Sequence, residues 1–153
     1  MNYLQALCNT FFVHKVVRSE IGRLKIFEIG EKYYFEDLGL RNAIVCFNQG
    51  ADIHKLMENA VYLFLIQQNY KVFVGTLGDK EIDFVVDKNG AKIYFQVCLT
   101  IMDESTANRE FGNLLKIEDN YPKYVITLND LLIGQDNNGI IQKNLMDFLT
   151  SEL

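Results

Sequence analysis

Four residues stand where their types and spacing allow chemistry: Glu58, Asp83, Gln96 and Cys98. Asp83 lies between Ile82 and Phe84, and Gln96 between Phe95 and Val97, so two strand-like segments each carry a polar side chain within apolar alternation. Glu58 is the acid in the middle of an otherwise apolar helical segment. Carboxylate and amide oxygens suit a hard divalent cation, and phosphodiester hydrolysis uses such a cation to orient or activate water. Such a site usually also holds a side-chain cation. On a strand Tyr94, Gln96, Cys98 and Thr100 share one face, so the position beside Gln96 falls to Cys98. A thiol deep in a strand stays protonated and cannot act as an ammonium group. Lys80, Lys92 and Arg109 are the alternative sources of positive charge.

Each residue also has a structural role open to it. Glu58 could pair with Arg109 or Lys80, Asp83 could anchor a neighbouring loop through hydrogen bonds, and Gln96 could bond across the sheet. His14 and His54 have no ligand spacing.

The elements that must position these residues follow from periodicity. Tyr3, Leu4, Leu7, Cys8, Phe11 and Phe12 form a helical stripe too short to stand alone, so it is expected to pack against something. Strand-like runs follow at 13–18, 24–29 and 32–35, with Gly22 and Gly30 marking turns between them. Asp37 to Asn42 begins a short helical turn. Gln49-Gly50-Ala51 breaks the apolar run before it, and Asp52 is expected to cap a buried helix from about 53 to 68. Strands are predicted near 71–75, 80–87 and 91–99, the last two joined by a turn at Asn89-Gly90, where both residues tolerate positive φ. Asp103 is placed to cap a helix ending near Ile117, with Phe111, Leu114 and Leu115 as its apolar face. A strand at 124–128, another near 140–142 and a terminal helix from Leu145 complete the chain. Helix, three strands, helix, strand from about 52 to 128 predicts a mixed sheet flanked by helices, the αβββαβ core of restriction-endonuclease-like proteins.

Composition narrows the function classes. The 153 residues carry a net charge of −5, which opposes non-specific nucleic-acid binding by the whole surface, although a local basic patch remains compatible with it. No apolar run approaches the ~18 residues of a membrane helix, and no signal-peptide pattern opens the chain. Cys8, Cys46 and Cys98 are odd in number and lack C-x-x-C spacing, so they read as reduced, buried thiols of a cytoplasmic protein. The apolar faces of 3–12 and 33–47 are candidates for contact with a partner or with a second copy in a homo-oligomer.

Four phrases, in order, carry a resemblance: Glu31-Lys32-Tyr33-Tyr34-Phe35-Glu36-Asp37-Leu38-Gly39-Leu40-Arg41-Asn42, Leu56-Met57-Glu58-Asn59-Ala60-Val61-Tyr62, Gly78-Asp79-Lys80-Glu81-Ile82-Asp83-Phe84-Val85 and Asn120-Tyr121-Pro122-Lys123-Tyr124-Val125. Together they resemble the C-terminal region of bacterial and archaeal AAA+ ATPase-type proteins called domain of unknown function 4143. That resemblance implies an ATPase domain and a winged helix ahead of a nuclease-like domain. Residues 1–36 would be the winged-helix tail and 37–153 the restriction-endonuclease-like domain. No G-x-x-x-x-G-K-[ST] occurs, so the ATPase domain would be a partner absent from this chain. Glu58, Asp83 and Gln96 fall on the nuclease-like acidic positions, and Cys98 departs from the lysine of active nucleases. The expectation is a non-catalytic nuclease-fold module with a binding or regulatory role. The alternative is a DNA-cleaving nuclease holding Mg²⁺ or Mn²⁺ at Glu58, Asp83 and Gln96.

Overall fold

The computed structural model describes residues 3–22, 26–101, 111–129 and 136–151, with the side chains of 26–29 and 136–137 excepted. Asp103 and Arg109, expected as a helix cap and a possible Glu58 partner, lie outside them.

The elements run α1 (Tyr3–Asn9), β1 (Val13–Glu20), β2 (Ile26–Phe35), α2 (Leu38–Ile44), α3 (Gln49–Gln67), β3 (Lys71–Leu77), β4 (Lys80–Lys88), β5 (Ala91–Val97), α4 (described over 111–115), β6 (Lys123–Thr127), β7 (Asp136–Asn137), β8 (Ile140–Asn144) and α5 (Leu145–Thr150). The strands form one eight-stranded mixed sheet in the order β2-β1-β3-β4-β5-β6-β8-β7. β3, β4 and β5 are an antiparallel meander, because the β3–β4 and β4–β5 connections are tight turns; Asn89 and Gly90 both have positive φ, as the predicted turn requires. The helical crossover after β5 makes β6 parallel to it, and β8 is parallel to β6. The predicted mixed α/β architecture is therefore the observed one, with the predicted order of helix, three strands, helix, strand.

Helices cover both faces. Met57, Val61 and Leu65 of α3, with Leu145 and Phe148 of α5, pack on Phe84, Val86, Phe95 and Val97. Phe111 and Leu114 of α4 pack on Ile82, Val85, Tyr94 and Val125 of the other face. Leu115, expected on the apolar face of α4, is exposed; it is the last helical residue of α4. Among the described residues no helix is long and apolar enough to cross a membrane.

Several local expectations are corrected. β2 is one strand, not two runs around a turn: Gly30 sits inside it at φ 81, and the β1–β2 register slips between Val16 and Arg18 to accommodate it. β1 and β2 belong to the same sheet as β3 to β8, with β1 parallel to β3. α3 starts earlier than predicted, because Asn48 is its cap, accepting from Gly50 N–H at 3.0 Å. Asp52 instead lies in the first turn and accepts from the backbone N–H of Asn48 at 3.1 Å. α1 has no buried residue, and Tyr3 and Phe11 are exposed. Of the cysteines only Cys98 is buried; Cys46 is exposed at φ 52 in the turn after α2.

Candidate functional site

Strand alternation and one bulge decide which polar groups meet. Phe73 pairs with Val85 but Gly75 with Ile82, so β4 carries one extra residue opposite β3. The bulge sends Ile82 to the α4 side and Phe84 to the α3 side although one residue separates them. Gly75 makes room for it, since a Cβ there would meet Val85 Cγ2 at 2.6 Å and Ile82 Cβ at 2.9 Å.

Asp83 occupies the bulge. The β4–β5 ladder runs only to the pair Phe84 and Phe95, and beyond it side chains replace the missing partner strand. Asp83 Oδ2 accepts from Val97 N–H at 2.8 Å, and His54 Nε2 from α3 donates to Val97 C=O at 2.7 Å. Both backbone groups of Val97 that face β4 are thereby satisfied.

Glu58 is held over the same region by its neighbour in sequence. Asn59 Oδ1 accepts from Phe35 N–H at 2.9 Å and its Nδ2 donates to Phe35 C=O at 2.8 Å, which clamps α3 to β2. Lys32 and Tyr34, two residues apart on β2, both reach Glu58 Oε1, at 2.7 and 2.6 Å. Lys32 Nζ also lies 2.7 Å from Glu81 Oε1 and 3.7 Å from Asp83 Oδ1. Arg18 completes the row, its guanidinium 2.5 Å from Glu81 Oε2. The result is an ion network of three carboxylates and two cations, closed by a tyrosine that stacks on Tyr62 at 4.5 Å.

Electrostatics follow from this packing. Burial works to lower the Lys32 pKa, but the charges of Glu58 and Asp83, with hydrogen bonds to Glu58 and Glu81, outweigh it, so the ammonium is held more tightly than usual. Burial raises Asp83 to about 7, with the Glu58 charge adding to the rise and Lys32 and the Val97 N–H opposing it. Burial also lifts Tyr34, and Glu58 beside it lifts it further, so its hydroxyl stays a donor. Glu81 is only partly buried; burial opposes ionisation, but hydrogen bonds and charge from Lys32 and Arg18 hold its pKa low.

Of the four residues singled out by sequence, the structure brings together Glu58 and Asp83. Gln96 is flanked by Phe95 and Val97, which face α3, so it faces the opposite way with Tyr94 and Cys98. It is buried there, and its Oε1 has no hydrogen-bond partner among the described residues. Neither Lys80 nor Lys92 reaches Glu58; Lys80 pairs with exposed Asp79. Lys32, Tyr34 and Arg18 were missed because β1 and β2 were assigned to a separate segment, and Glu81, on β4, was missed with the cations that engage it. The alternation of Lys32 and Tyr34 beside a helix carrying one buried acid was the available signal.

The donor set does not fit a divalent cation. Lys32 stands against Glu58 Oε1 and near Asp83 Oδ1, Asp83 Oδ2 is engaged by a backbone amide, and Gln96 is across the sheet.

Glu58 also opens onto a cleft of about 560 Å³ between β2, α2 and α3, lined among others by Lys32, Tyr33, Arg41, Asp52, His54 and Lys55. α2 is fixed at its rim by Asp37, whose Oδ1 accepts from Leu40 N–H at 2.7 Å.

No family model matches the chain. A Haemophilus influenzae protein described as uncharacterized is 36% identical over 125 residues, which is 82% of this chain and 30% of that protein. The chain thus spans less than a third of that relative's length. Protein VC1899 from Vibrio cholerae, a crystal structure, aligns over 95% of this chain and 39% of its own, at 12% identity and a TM-score of 0.39.

Proposed function

We propose that this chain is a non-catalytic module with a restriction-endonuclease-like core, acting by binding within a longer protein. One observation carries the reading: Lys32 Nζ sits among Glu58, Glu81 and Asp83, at 2.7, 2.7 and 3.7 Å, where a nuclease-like site would hold its metal. A fixed ammonium neutralises the acids internally and removes the need for a divalent ion. Asp83 then has a structural task, holding the end of β5 through Val97, and the cleft beside Glu58 is the surface left for a ligand. The resemblance to the C-terminal region of AAA+ ATPase-type proteins supports a role beside an ATPase domain.

The test is incubation of the chain with single- and double-stranded DNA and either Mg²⁺ or Mn²⁺. Intact DNA is the expected result. Metal-dependent cleavage that Asp83→Ala abolishes would refute the proposal.

A further inference from the structure

Arg41 is only 6% exposed, yet it lines the cleft beside Glu58. Its guanidinium carries five donors and a charge that cannot be discharged. The hydrogen bond it makes among the described residues runs from one terminal nitrogen to Asn42 Oδ1 at 3.0 Å, a neutral acceptor. A buried guanidinium without a carboxylate is costly unless an anion completes it.

Of the other cations that line the cleft, Lys32 is engaged by the buried acids and Lys55 is exposed, lying loosely against one acid. Lys32 stands on Glu58 at 2.7 Å, and Lys55 is 3.7 Å from Asp52. Arg41 is therefore the cation of the cleft that has no carboxylate partner among the described residues. The volume of about 560 Å³ is that of a small-molecule site. A planar, forked donor of this kind fits a phosphate oxyanion.

We propose that the cleft between β2, α2 and α3 binds the phosphate group of a nucleotide or of a single nucleic-acid strand, with Arg41 holding the oxyanion and Lys55 at the rim adding charge. This deepens the binding role proposed above and rests on it only in that Lys32 is taken to remain on the acids. The phrase Glu31 to Asn42, the strongest part of the sequence resemblance, then has a physical meaning: it supplies both the network lysine and the anion-binding arginine of one cleft.

The experiment uses the full chain in EDTA with two probes: AMP, followed by ³¹P NMR, and a short fluorescein-labelled oligothymidylate, followed by anisotropy at several salt concentrations. At least one probe is expected to bind, more weakly as salt rises, and Arg41→Gln is expected to lower its affinity about tenfold or more. AMP binding alone identifies a mononucleotide as the source of the phosphate; oligothymidylate binding identifies a strand. Lys55→Gln, at an exposed position, is expected to weaken binding less, about two- to fivefold, and keeps the test valid if Arg41→Gln fails to fold. Absence of binding by both probes overturns the proposal, as does affinity unchanged in every variant that folds. Metal is absent throughout, so this failure is distinct from DNA cleavage, which would overturn the non-catalytic reading instead.

Discussion

Replacing Lys32 by Met removes the one ammonium that touches Glu58, Glu81 and Asp83 together. The Glu58 and Asp83 side chains are only 11% and 8% exposed, so water compensates little for its loss at either. Removing one member of a buried ion pair costs about 3–5 kcal/mol, because the remaining charge is left without compensation. The lower end applies here: Tyr34 still donates to Glu58, Val97 N–H still donates to Asp83, and Asp83 can take up a proton. A loss of about 3 kcal/mol corresponds to a fall of roughly 6–12 °C in Tm for a chain of this size. The loss should depend on pH. The folded Asp83 pKa of about 7 is raised above its unfolded value, so the proton it binds stabilises the fold at low pH and that contribution is lost as pH rises toward 7. Without Lys32 the rise is larger, so the deficit of Lys32→Met against the unaltered protein should widen between pH 5.5 and pH 8. Thermal and urea unfolding followed by circular dichroism measure both effects, and Lys32→Met with Glu58→Gln should recover part of the loss. A Tm within about 2 °C of the parent at pH 8, or a deficit equal at both pH values, would refute the account of Lys32 as internal counter-ion.

The same network makes Asp83→Asn informative: the amide oxygen can still accept from Val97, but the titration is gone. The decline in stability across roughly pH 4 to 7, on the order of 2–4 kcal/mol for a shift of this direction and size, should be reduced in urea melts of the variant. Gly75→Ala places a methyl group against Val85 and Ile82 at the bulge, and overpacking of this kind costs about 1–3 kcal/mol. Its Tm should fall, and amide exchange at Val97 should quicken, since the bulge that aims Asp83 is displaced.

The sequence was most legible where the signal is local. Asn89-Gly90 specifies its turn, and the run from Met57 to Leu65 announces a buried helix by composition alone. What escaped depends on long-range register. Gln96 looks equivalent to Asp83 as a polar residue in an apolar strand, but the extra residue at the β4 bulge turns Asp83 toward α3 while β5 keeps strict alternation. Glu58 could be recognised as needing a cation, yet its partner came from Lys32, which meets it only because β1 lies parallel to β3 and carries β2 alongside. The start of α3 was misread because Asn48 and Asp52 are both plausible caps, and the choice depends on whether Gln49-Gly50-Ala51 can form a first turn.

The β2 border of the sheet has a consequence in its irregularity. β2 carries Gly30 in a left-handed conformation within the strand, with a slipped register against β1. A flat outermost strand with its amides in regular sequence is a template on which another chain can add a strand, and repetition of that step leads to aggregates. Here that border is out of line, so strand-by-strand growth between copies is disfavoured at that end of an eight-stranded sheet.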